Sequence, residues 1–153
     1  MGVRKILTGL YDNLNRVFYS GTLPPVYIRF TFAEQKVNYY LKYMKNNQFC
    51  ILINWKMLDC EETDLYINIL HQMAHIRNAV NDIKDTSRSY RYHNKSWNDE
   101  VKKTGVITDH NSKIGYYAVG IEDQTINIIR SFFDFEKYNN ILRKELKKYI
   151  SLL

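Results

Sequence analysis

Leu7, Leu10, Tyr11, Leu14, Val17 and Phe18 recur at helical spacing, which predicts an amphipathic helix that Ser20-Gly21 and Pro24-Pro25 bring to an end. Beyond that break the period becomes alternate: Val26, Ile28, Phe30 and Phe32 interleave with Tyr27, Arg29 and Thr31, as in a strand with one buried face. Tyr39 to Met44 and Gln48 to Asn54 flank Lys45-Asn46-Asn47 and read as a hairpin. The unbroken apolar run Phe49-Cys50-Ile51-Leu52-Ile53 makes its second strand central and buried.

The acidic stretch Asp59-Cys60-Glu61-Glu62-Thr63-Asp64 suits a helix N-terminus, and an apolar-rich helix runs from it to about Val80. Residues 81–92 are polar and read as a loop able to border a cleft. A short helix begins near Asn94, carries Trp97 and Val101 on one face and stops at Gly105. Val106-Ile107-Thr108 and residues 114–119 then predict a small hairpin around Asp109-His110-Asn111-Ser112, and the chain turns helical again from Asp123. Its last stripe, Tyr138, Leu142, Leu146, Tyr149 and Leu153, leaves Arg143, Lys144, Lys147 and Lys148 off the apolar face. That pattern fits a core-docked helix with a solvated basic side, or a helix that binds nucleic acid or a partner. The expected class is α+β, with a small twisted sheet of three to five strands packed against the helix that contains residues 71–75.

At 153 residues the chain fits one domain, and such a domain buries roughly two thirds of the surface its unfolded chain exposes. The net charge of +6 favours acidic partners such as nucleic acid, and the 13 tyrosines suit half-buried positions around a core or a cleft. Cys50 and Cys60 form no CxxC pair and read as reduced residues of a cytoplasmic protein. Met1-Gly2-Val3-Arg4-Lys5 opens an amphipathic stretch, not an apolar signal core, and no run approaches membrane-spanning length.

The chemistry concentrates in His71-Gln72-Met73-Ala74-His75. Two histidines at i and i+4 lie one above the other on a helix, so both imidazoles can reach one tetrahedral Zn2+ ion. This is the HExxH helix of zinc peptidases with its glutamate, the general base, replaced by Gln72; the amide keeps the shape but cannot accept a proton near neutral pH. His93, beyond the polar loop, can fold back as a third ligand, while His110 reads as a surface residue of the hairpin turn.

With these residues in view, the chain resembles the SprT-like zinc metallopeptidases, a family that includes DNA-dependent proteases acting on DNA–protein crosslinks. The similarity lies in Leu10-Tyr11-Asp12-Asn13-Leu14-Asn15 through Phe18, Gly21-Thr22-Leu23-Pro24-Pro25-Val26, the strand Ile51-Leu52-Ile53-Asn54, and the HQMAH helix. Asn81-Asp82-Ile83-Lys84-Asp85-Thr86-Ser87-Arg88 and Tyr92-His93-Asn94-Lys95 resemble compact members from phages and mobile elements. The resemblance implies a zincin-like domain over residues 1–122 with a helical extension over 123–153. It makes His71, His75 and His93 zinc ligands and puts Gln72 at the catalytic-base position. Implied partners are a protein substrate and DNA. The chain lacks the cysteine ribbon of larger bacterial members.

Three readings of Gln72 stay open: an engineered change that traps an inactive fold, a natural pseudoenzyme that binds without cutting, or a site whose base is Asp82, Asp85 or a cleft tyrosine. Tyr90, Tyr92 and Arg88 are the candidates for steadying an oxyanion.

Overall fold

A computed structural model describes residues 2–31, 39–44 and 48–151, with only the backbone described for 39, 40, 42–44, 149 and 150. Phe32, the Lys45-Asn46-Asn47 turn, the Tyr149 side chain and Leu153 therefore lie outside the described structure.

Helix α1 (Val3–Phe18) buries Leu7, Leu10, Tyr11 and Leu14, the predicted stripe, and leaves Val17 at its edge. It stops where Ser20 and Gly21 enter the left-handed region, at φ 53° and 69°. The Asn15 side chain fixes the exit by donating to the Leu23 carbonyl at 3.0 Å and accepting from the Leu23 N–H at 3.1 Å. Strands β1 (Val26–Thr31), β2 (Tyr39–Met44) and β3 (Gln48–Asn54) follow in the order β1-β3-β2. β3 is central, parallel to β1 and antiparallel to β2, as its continuous apolar run requires.

Helix α2 (Glu62–Val80) crosses the middle of the molecule and is buried on most of its circumference, including Leu65, Tyr66, Ile69, Leu70, Met73, Ala74 and Ile76. Short strands β4 (Thr86–Ser87) and β5 (Tyr92–His93), helix α3 (Lys95–Lys102) and the hairpin β6 (Val106–Asn111) and β7 (Gly115–Ile121) come next. The strands make two small sheets where the sequence pattern predicts one, the second in the order β4-β5-β7-β6. β4 and β5 have two residues each, too short to leave any periodic signal in the 81–92 stretch. The hairpin also runs further than expected: His110 and Asn111 belong to β6, and Asn111 Oδ1 accepts from the N–H groups of Lys113 and Ile114 in a tighter turn.

Helices α4 (Asp123–Arg130) and α5 (Phe135–Ile150) share the same core through Ile129, Tyr138 and Leu142. Tyr138 donates to the Leu58 carbonyl at 3.2 Å, and Arg130 makes two contacts with the Glu62 carboxylate at 2.7 and 2.8 Å. The extension thus holds the N-terminal end of α2. Among the described residues no helix is long and apolar enough to cross a membrane.

Candidate metal centre

His71 and His75 stand one turn apart on α2, with their Nε2 atoms 3.1 Å from each other. β5 brings His93 Nε2 to 3.2 Å from His75 Nε2, and one nitrogen from each of the three rings lies within 4.8 Å of the others. Metal–nitrogen bonds of about 2.0–2.1 Å at tetrahedral angles separate ligand nitrogens by about 3.3 Å, so the spacing around His75 is close to that of a bound set. The three histidines can hold a metal ion.

The second nitrogen of His75 explains why the set faces inward. Its Nδ1 lies 2.8 Å from Asp85 Oδ2, and because a carboxylate only accepts, Nδ1 is the donor of that contact and Nε2 is the nitrogen turned towards His71 and His93. Asn78, one turn past His75 on the inner side of α2, donates to the same Asp85 oxygen at 3.0 Å and to the Ser96 carbonyl at 3.3 Å. Asp85 reaches α2 because the chain reverses directly after the helix, with Asp82 at φ 55° and the Ile83 N–H returning to the Asn78 carbonyl at 2.8 Å.

His93 is placed by the second sheet. Its N–H donates to the Ile114 carbonyl at 3.0 Å, and it pairs with Gly115. Gly115 has φ 74°, and a Cβ there would sit 2.1 Å from the His93 carbonyl oxygen, so only glycine allows this approach. The following residue, Asn94, caps α3 by accepting from the N–H groups of Ser96 and Trp97. Trp97 is fully buried behind the site, its ring centroid 4.7 Å from that of His71 and 4.6 Å from that of His93, and its indole N–H points at the His71 carbonyl at 3.4 Å.

This surrounding disfavours charge on the rings. Burial, and then the neighbouring imidazoles His75 and His93, hold His71 well below the usual histidine range. Burial, with His75 acting in the same direction and Asp85 partly opposing, brings His93 down to about 4. Both are therefore neutral bases at physiological pH, the form a metal binds.

A cleft of about 420 Å³ opens beside the centre. One wall is the α2 face Asp64, Ile67, Asn68 and His71; the other is Tyr117, Ala118 and Val119 of β7, with Ile114, Arg91 and His93 completing it. Gln72, next to His71 on α2, is 5% exposed.

The sequence-derived oxyanion candidates lie elsewhere. Arg88 donates to the Ser112 and Lys113 carbonyls at 3.0 and 3.3 Å and stacks on the Tyr92 ring at 4.5 Å. The Tyr92 hydroxyl is paired with His110 Nε2 at 3.2 Å, and Tyr90 is 80% exposed at φ 69°. None of the three lines the cleft, whereas Arg91 and Tyr117 do. Asp82 is exposed, and Asp85 is taken up by His75 and Asn78. The pairing of Asp85 with His75, and the parts played by Trp97, Gly115 and Arg91, leave no local signature in the sequence beyond an acid ten residues past a candidate ligand. Comparison with family models, with curated proteins and with solved structures returned no match to this chain.

Proposed function

We propose that this chain is a zinc-dependent metallopeptidase domain of the SprT-like, zincin-like kind, directed at protein substrates and associated with DNA, whose hydrolytic activity is lost or impaired by Gln72. The observation that carries this reading is the convergence of three Nε2 atoms from His71, His75 and His93, with Asp85 behind His75. Three imidazoles around a point beside an open cleft fit a catalytic zinc site, which uses three protein ligands and leaves a position free. When bound, zinc supplies Lewis-acid polarisation of a carbonyl and acidifies water.

The chain's own residues do the rest. His71, His75 and His93 would hold the ion through the nitrogens that converge between them, Asp85 would keep the His75 proton on Nδ1, and Trp97 would exclude water from the rear of the rings. Residue 72 follows the first ligand on α2, where a glutamate would accept the proton released during hydrolysis. The Gln72 amide can orient a water molecule but cannot take its proton. A general base contributes typically about 10²–10⁴-fold to rate, so Gln72→Glu is expected to raise hydrolysis by that order.

The first measurement is zinc per chain by elemental mass spectrometry, with His93→Ala in parallel. About one zinc per chain, lost in His93→Ala, is expected, followed by cleavage of an unfolded protein by zinc-loaded Gln72→Glu, with and without DNA. A zinc-loaded Gln72→Glu chain that cuts nothing would sink the peptidase reading.

One observation favours a second reading. With Asp85 engaged by both His75 and Asn78, the carboxylate nearest the centre is not free to replace the missing base. A natural Gln72 would then make the domain a zinc-binding pseudoenzyme, a protein- or nucleic-acid-binding regulator of a mobile element. A partner complex that survives His71→Ala would support that reading against the first.

A further inference from the structure

The cleft beside the metal centre contains two charges that do not neutralise each other. Asp64 stands on the α2 wall, two turns before His71, and Arg91 stands two residues before His93. They form no ion pair with each other, and among the described residues the Arg91 guanidinium has neither an ion-pair nor a hydrogen-bond partner. Its neighbour Arg88 differs: three oxygen and ring contacts hold it down on the hairpin turn. Arg88, Ser89 and Tyr90 form a run of three non-glycine residues in the left-handed region, at φ 53°, 58° and 69°. Such a run is strained, and strain persists where surrounding contacts hold it, commonly at ligand sites. Here the contacts of Arg88 pin the turn, and the next residue lines the cleft.

We infer that Arg91 is a specificity-determining residue of the cleft, taking a carboxylate of the bound polypeptide. The inference rests on the polypeptide-binding role proposed above and names the chemistry that role would prefer. A guanidinium presents a planar fork of donors that matches a carboxylate in two parallel hydrogen bonds, and the nearby metal ion adds attraction of the same sign. Ile67, Ile114, Ala118 and Val119 supply an apolar wall for the side chain beside that carboxylate. β7 pairs with β5 only at Gly115, so the edge of β7 beyond it has no strand partner among the described residues and can pair with an extended main chain. The carboxylate has two sources, an aspartate or glutamate side chain or the C-terminus of the polypeptide.

The test is selection of randomised hexapeptides on the immobilised zinc-loaded chain, read by mass spectrometric sequencing. One library carries free C-termini and the other amidated ones. An acidic side chain as the ligand gives about tenfold enrichment of Asp and Glu at one position in the amidated library; a terminal carboxylate gives retention of free over amidated peptides by a similar factor. Arg91→Gln abolishes either preference, whereas Lys102→Gln, which removes the same charge from an exposed position on α3, leaves it intact. Enrichment in neither library, or equal loss in both variants, overturns the inference. The peptidase reading fails separately: a chain that takes up no zinc when it is supplied, yet still shows the Arg91-dependent preference, refutes the metal centre and retains the carboxylate site.

Discussion

Removing Asp85 should weaken metal binding without touching a ligand. Its Oδ2 lies 2.8 Å from His75 Nδ1, and both side chains are largely buried, at 12% and 14% exposed, so water does not readily replace the contact. In Asp85→Ala, His75 loses the acceptor that fixes its tautomer and ring angle, and Asn78 keeps only the Ser96 carbonyl at 3.3 Å. Loss of a carboxylate behind a ligating histidine typically costs about ten- to a hundredfold in metal affinity, or about 1.4–2.7 kcal/mol. Asp85→Asn separates geometry from charge. Its side-chain oxygen can still accept from Nδ1, so orientation survives while the negative charge is lost, and the decrease should be smaller.

The assay is competition with a zinc-chelating fluorescent indicator at pH 7.5, with the thermal unfolding of each metal-free variant measured beside it. An order of affinity in which the parent exceeds Asp85→Asn, which exceeds Asp85→Ala, is expected, with His75→Ala weakest. If Asp85→Ala binds zinc within twofold of the parent while His75→Ala does not, the carboxylate does not support the site and the argument from tautomer and orientation is wrong.

Three further outcomes follow from the same geometry. The unfolded chain protonates its histidines near pH 6.5, whereas folded His93 resists until about pH 4 and His71 is lowered as well; the unfolded state therefore binds more protons in that window. Stability of the metal-free chain should thus fall as pH drops from about 6.5 towards 4, and urea midpoints that stay flat across this range would refute the burial of neutral rings. Gly115→Ala forces a Cβ against the His93 carbonyl at positive φ and should cost about 2 kcal/mol or more while also weakening zinc binding, read by denaturant unfolding and the indicator assay; no change in either would remove the case for close approach. Arg130→Ala breaks the two-contact pair with Glu62, but Arg130 is 56% exposed, so the loss in a urea titration should stay below about 1 kcal/mol; a larger value would make this ion pair, and not the packing of Tyr138 and Leu142, the anchor of the C-terminal helices.

What the sequence discloses about this site depends on how local each signal is. His71 and His75 are legible because a four-residue spacing on a helix fixes their relation whatever the remainder of the chain does. β3 is legible as the central strand for a similar reason: five successive apolar residues need cover on both faces. His93 is legible as a candidate only because four histidines exist and a polar loop separates it from α2; its arrival at 3.2 Å depends on a one-residue pairing with Gly115 that no periodicity announces. The second sheet stays hidden for the same reason, since two of its strands are two residues long.

Asp85 and Arg91 mark the limit of local reading. Both belong to a stretch that looks uniformly polar, and composition there supplies Arg88, Tyr90, Tyr92, Asp82 and Asp85 as equal candidates. Backbone sign distinguishes them: the left-handed residue Asp82 turns the chain back so that Asp85 meets His75, and the left-handed run at 88–90 turns it again so that Arg88 grips the hairpin and Arg91 borders the cleft. None of these left-handed positions is a glycine, the residue whose presence would have flagged them. The ligands can therefore be read from side-chain type and spacing, whereas the residues that orient them follow from turns that only the folded chain reveals.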